Sequence, residues 1–153
     1  MAYKTVLTAE AREKVRNFLR EIAAEKGSLY LAMLAQTLPE VRDRWTLIVS
    51  APWVDSSGRR ATVSYLSSNL SRYLDKNALS AIDRIEPMSR TELFVEAMLT
   101  NNHSHSLEEP VRHFTNWRYR DAPIAEGYIF VVDPDAKTKH TRSAAGNRRV
   151  VVR

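Results

Sequence analysis

The stretch Trp45-Thr-Leu-Ile-Val-Ser-Ala51, closed by Pro52, decides how this 153-residue chain is read. It is a nearly continuous apolar run, too short for a typical helix. A strand with one wet face would alternate, so this one reads as a central strand covered on both faces. Working outward, Asp55-Ser-Ser-Gly58 is a loop leading into a helix expected over residues 59–75, whose buried stripe is Leu66, Leu70, Tyr73 and Leu74. A second strand is expected over 82–88. Strand, helix and strand then form a βαβ crossover with parallel strands.

Upstream, Thr8 is placed to cap a helix that reaches Lys26, with Glu10 and Glu13 near its positive end, Val15, Phe18, Leu19 and Ile22 on one face, and Gly27 as its stop. Residues 28–38 carry Leu29, Leu31, Met33, Leu34 and Leu38, an all-round apolar pattern that belongs inside. They read as the second member of an N-terminal helical pair within 1–38. That pair covers one face of the sheet or joins a second copy of the chain in a homodimer.

Downstream, Ser89-Arg-Thr-Glu92 fits a capping box before a helix ending at Asn101. Residues 111–120 then alternate. Val111, His113, Thr115, Trp117 and Tyr119 share one face; Arg112, Phe114, Asn116, Arg118 and Arg120 share the other. Residues 121–126 read as a turn and 127–132 as an antiparallel partner strand stopped by Asp133-Pro134. The fold class is therefore α/β or α+β: one domain over 1–134, with a mixed sheet of four or five strands and C-terminal antiparallel strands. Residues 135–153 are a basic hairpin or tail of the same domain.

Composition bounds the function. With 44% hydrophobic and 27% charged residues, the chain belongs among soluble globular proteins. No apolar run approaches the ~18 residues of a membrane span, and Glu10 and Glu13 interrupt what would be a leader. The absence of cysteine excludes disulfides and thiolate chemistry and agrees with a reducing compartment. No membrane partner and a cytoplasmic location are expected. The formal charge of +5 is unevenly spread: residues 1–134 hold 17 basic and 17 acidic side chains. From Asp135 onward Lys137, Lys139, Arg142, Arg148, Arg149 and Arg153 face one acid, so the end carries the whole excess. Such an end attracts phosphates or an acidic protein surface over a Debye length of about 8–10 Å.

Motifs exclude more than they propose. Only four glycines exist, at 27, 58, 127 and 146, all at expected element boundaries. Neither a dinucleotide-binding G-x-G-x-x-G nor a P-loop is present, and no nucleophile elbow or H-E-x-x-H appears. No cofactor is expected. Ser56, Ser57, Arg59 and Arg60 lie where a parallel strand hands over to a helix, a place suited to an anion; otherwise the serines are ordinary caps. His103 and His105 are metal-ligand types at i, i+2 in what also reads as a polar loop. Asp55, Glu86 and His113 are the residue types for acid–base work, with Asp55 and Glu86 on adjacent strand ends. Arg112, Arg118 and Arg120, with Phe114 among them and the six late cations nearby, combine charge and ring as single-strand nucleic-acid surfaces do.

Three functions follow in order of preference. The first is a non-enzymatic binding module whose basic C-terminal surface engages an anionic partner, nucleic acid before acidic protein. The second is a small enzyme acting on an anionic substrate at the 55–60 turn. The third is a protein-interaction domain with a merely solubilising tail.

Overall fold

The computed structural model describes residues 7–37, 44–119 and 122–137. Helix α1 (Ala9–Lys26) is followed by strands β1 (Leu31–Thr37) and β2 (Trp45–Ser50). Helices α2 (Pro52–Ser57), α3 (Arg59–Leu70) and α4 (Lys76–Ala81) then lead to β3 (Ile82–Pro87). Helix α5 (Leu93–Asn101) and strands β4 (Arg112–Tyr119) and β5 (Ala122–Val132) follow. The strands form one five-stranded sheet in the order β3-β2-β1-β5-β4. Pair β2–β3 is parallel across the helical crossover; β1–β2, β1–β5 and β4–β5 are antiparallel. This is a mixed α+β fold. No helix among the described residues is long and apolar enough to cross a membrane.

Strand β2 is buried on both faces, which explains its unbroken apolar run. Leu47 and Val49 join the cluster under α1 and α3, while Ile48 joins the cluster under α5. Helix α1 forms as its residues dictate: Thr8 Oγ1 accepts from the Ala11 N–H at 3.1 Å, and Gly27 ends the helix at φ 118°. Val15, Phe18, Leu19 and Ile22 are fully buried on the sheet. Each stabilises the fold by about 2 kcal/mol of apolar burial, an upper bound because the unfolded chain is partly collapsed.

The N-terminal helical pair is corrected. Residues 31–37 are not a second helix but β1, the middle strand of the sheet. Leu31, Met33 and Ala35 face the α5 side; Ala32 and Leu34 face the α1 side. An all-round apolar pattern is the same for a doubly covered strand as for a buried helix, and Leu, Ala and Met favour the helix only until tertiary context overrides them. The apolar stripe of α1 lies in the chain's own core, so the route to a homodimer through these helices loses its surface.

Three further corrections concern local geometry. Residues 52–57 form a short helix where a loop was expected over 55–58. The capping box does not form: α5 starts at Leu93, so Glu92 itself is its N-cap with no side-chain bond, and Ser89 Oγ accepts instead from the Thr91 N–H at 3.2 Å. The alternation expected over 111–120 breaks at Asn116, which adopts φ 52°. This left-handed residue interrupts the period of two, and Phe114 and Trp117 pack on the same side, ring centroids 6.3 Å apart. Gly127 lies inside β5, which starts at residue 122, rather than at a boundary. Its place is set by Phe114 across the ladder: a Cβ at Gly127 would stand 2.2 Å from Phe114 Cζ.

Candidate functional site

The 55–60 turn is built differently from an anion cradle. Asp55, Ser56 and Ser57 occupy the C-terminal half of α2, and Ser56 Oγ donates to the Trp53 carbonyl at 3.1 Å. Gly58, at φ 87°, swings the chain into α3 with Arg59 as its first residue. The Arg59 guanidinium spans both oxygens of Glu86, at 3.1 and 3.2 Å, and reaches the Pro87 carbonyl at 3.4 Å. The bond and charge of Glu86 raise the Arg59 pKa. The group expected to clamp an anion thus holds the carboxylate expected to do chemistry, while Asp55 and Arg60 are exposed to solvent. Arg59 is exposed, so solvent screens the pair and it adds little to stability.

His113 lies on β4, at the edge of the sheet opposite β3 and Glu86. Four strand spacings, roughly 19 Å, separate those edges. There His113 Nε2 meets Glu126 Oε2 at 2.8 Å and its ring stacks on Tyr128, while the Arg12 guanidinium lies over the Tyr128 ring, 4.3 Å from its centroid. Asp55, Glu86 and His113 therefore do not converge on one centre.

The histidine pair also separates. His103 is exposed, and its carbonyl accepts from Arg112 at 3.1 Å. His105 is 7% exposed and exchanges two backbone bonds of 3.0 Å with Val132, clasping the 103–110 loop to the end of β5. Arg16 Nε and Arg20 hold the same loop from α1 through the Leu107 carbonyl. Burial first, and Arg112 second, push the His105 pKa below the usual imidazole range, against the pull of Glu109, whose carboxylate is 3.5 Å from Nδ1. Among the described residues no group of three His, Cys, Asp or Glu could hold a metal.

The cations fall into two settings. Several of the body meet carboxylates: Arg16 pairs with Glu13, Arg20 with Glu108, Arg44 with Asp83, Arg72 with Glu21 and Arg90 with Glu96. Arg112 and Arg118 stand at opposite ends of β4, opposite Ile129 and Pro123, about 20 Å apart at strand rise, and so do not form one patch. Lys137 is at the Arg112 end. Its carbonyl accepts from the Ser28 N–H and its N–H donates to Ser28 Oγ, both at 3.0 Å, which pins the chain to the body where the cationic segment starts. Arg120, Lys139, Arg142, Arg148, Arg149 and Arg153, and with them the expected hairpin, lie outside the described residues.

One feature escaped the sequence. A cavity of about 620 Å³ opens between the end of α1, the 103–110 loop and the end of β5, with Ser28, His105, Glu109 and Asp133 among its lining. Its only sequence signal was the His-Ser-His loop, read for metal alone. Compared with known proteins, the chain matches no family model, no curated protein and no solved structure.

Proposed function

We propose that this protein is a non-enzymatic binding module whose cationic C-terminal segment, Lys137 to Arg153, engages the phosphate backbone of nucleic acid. The observation that carries the reading is the division of charge. Residues 1–134 are neutral at 17 against 17, whereas the end has six cations against one acid. Two features of the described residues support it. Arg16, Arg20, Arg44, Arg59, Arg72 and Arg90 of the body are matched by carboxylates within ion-pair distance, and Lys137 is fixed to Ser28, so the segment leaves from a defined point. Phosphate neutralisation needs only such charge and is sequence-independent. The small-enzyme alternative is weakened because Glu86 is engaged by Arg59. A chain without cysteine suits the cytoplasm, where the reading locates this work.

The test is fluorescence anisotropy with labelled mixed-sequence single-stranded DNA and RNA at 50 mM salt. The full chain is expected to bind with a Kd on the order of micromolar. Deleting residues 138–153, or replacing the five cations there by glutamine in the full-length chain, is expected to weaken binding at least about tenfold. Absence of binding, or affinity unchanged in both variants, overturns the proposal, and binding of an acidic protein alone would replace nucleic acid as the partner.

A further inference from the structure

Strand β4 carries a group of rings whose chemistry differs from that of the C-terminal segment. Phe114 and Trp117 pack on the α5 side of the sheet, ring centroids 6.3 Å apart, and Phe94 of α5 meets Trp117 edge to face at 6.0 Å. All three rings are half-buried, at the margin of the cluster rather than inside it. Leu93, beside Phe94, is 59% exposed, the one large apolar side chain left so open among the described residues. Because β4 is an edge strand, this aromatic margin lies at the rim of the sheet.

The backbone is arranged to bring the rings together. In a regular strand residues 114 and 117 face opposite sides; Asn116, at φ 52°, turns Trp117 back beside Phe114. A non-glycine residue seldom takes that conformation, and such outliers gather at functional sites. Gly127 makes a second concession, since Phe114 occupies the space that a side chain there would fill. Arg112 belongs to the same face, because it stands opposite Ile129 of the α5-side cluster. One of its nitrogens donates to the His103 carbonyl at 3.1 Å, and the guanidinium has further N–H groups for an anion. Glu96, the one acid of α5, is paired with Arg90 and so is not left to repel it.

We propose that the nucleic acid held by the C-terminal segment is single-stranded and that its unpaired bases stack on Phe114 and Trp117, with a phosphate on Arg112. This assignment rests on nucleic acid being the partner and names what phosphate attraction leaves open, the kind of strand. A duplex covers the faces of its bases, whereas a single strand offers them to a ring, and every base has such a face. Placement agrees. The cationic segment leaves the body at Lys137, at the Arg112 end of β4, and residues 138–153 span up to roughly 50 Å when extended, against about 17 Å from Arg112 to Trp117. One strand can therefore meet the cations and the rings together.

The test is tryptophan fluorescence of the full chain, titrated with an oligothymidine of about 15 nucleotides and with an abasic strand of the same length and charge. Trp45 and Trp53 are buried, so Trp117 is the tryptophan within reach of a base. The thymidine strand is expected to quench it saturably and, by anisotropy of labelled strands, to bind at least about tenfold more tightly than the abasic one. Trp117→Leu is expected to abolish the quenching and weaken the thymidine strand about tenfold, with the abasic strand and the salt slope unchanged, whereas Trp117→Phe keeps a ring and most of the affinity. Equal affinity for the two strands, or thymidine binding that leaves Trp117 unquenched, overturns the stacking surface while the charge reading stands; no binding of either strand overturns both. Self-association in sedimentation that Trp117→Leu weakens would assign the face to a second copy and overturn it as well.

Discussion

The body of this chain and its last nineteen residues handle charge in opposite ways. In the body Arg44 finds Asp83, Arg59 finds Glu86 and Arg72 finds Glu21, and over residues 1–134 the formal charges balance. From Asp135 onward five of the six cations are carried on residues 138–153 with no acid among them. Surface pairs add little to stability, but they decide where a net field is left over. Stability and attraction are thereby assigned to different parts of one molecule, the first to the sheet and its helices and the second to the end beyond the Ser28 anchor.

That division can be broken by any change that moves both properties together. The largest effect belongs to the core: Phe18→Ala, at a fully buried position under α1, is expected to cost about 3–5 kcal/mol in a denaturant titration, while nucleic-acid affinity of the folded fraction stays the same. Gly58→Ala comes next. No atom lies near a Cβ there, yet φ 87° with ψ 160° is open to glycine and strained for alanine, so a loss of about 1–3 kcal/mol is expected from the backbone alone.

His105 sharpens the comparison through pH. The unfolded imidazole titrates near 6.5 and the folded one below it, so the unfolded chain takes the proton first. The stability this group contributes is complete above about pH 6.5 and is lost as the pH falls from there through the folded value. His105→Gln is expected to flatten the pH dependence of the denaturation midpoint between pH 5 and 7; an unaltered slope would assign that dependence to other groups. The smallest effect is expected at Arg44→Ala. It breaks an exposed 2.8 Å pair and should change stability by less than about 1 kcal/mol, read as the shift in the same titration.

Sequence patterning revealed the parts of the fold where burial and local chemistry agree. Residues 45–50 pair β-branched side chains with an apolar run and a closing proline, and α1 has a cap, a stripe and a glycine stop, so both were legible. Residues 31–37 were not, because Leu, Ala and Met speak for a helix while a place between β2 and β5 makes them a strand. Asn116 hid the facing of β4, since a single left-handed residue moves Trp117 to the side of Phe114. The charge asymmetry needed only counting. The cavity could not be found that way: Ser28, His105, Glu109 and Asp133 meet only because β1 and β5 are neighbours and the 103–110 loop docks on Val132.

The most direct measurement is the salt dependence of single-strand DNA affinity, taken for the full chain and for the chain ending at residue 137. Each phosphate neutralised contributes a slope of about −0.7 in log affinity against log salt, so engagement of all five cations beyond Lys137 makes the full chain steeper by roughly 3 to 4. Two parallel lines would mean that the end takes no phosphates, and would contradict the assignment of attraction to it.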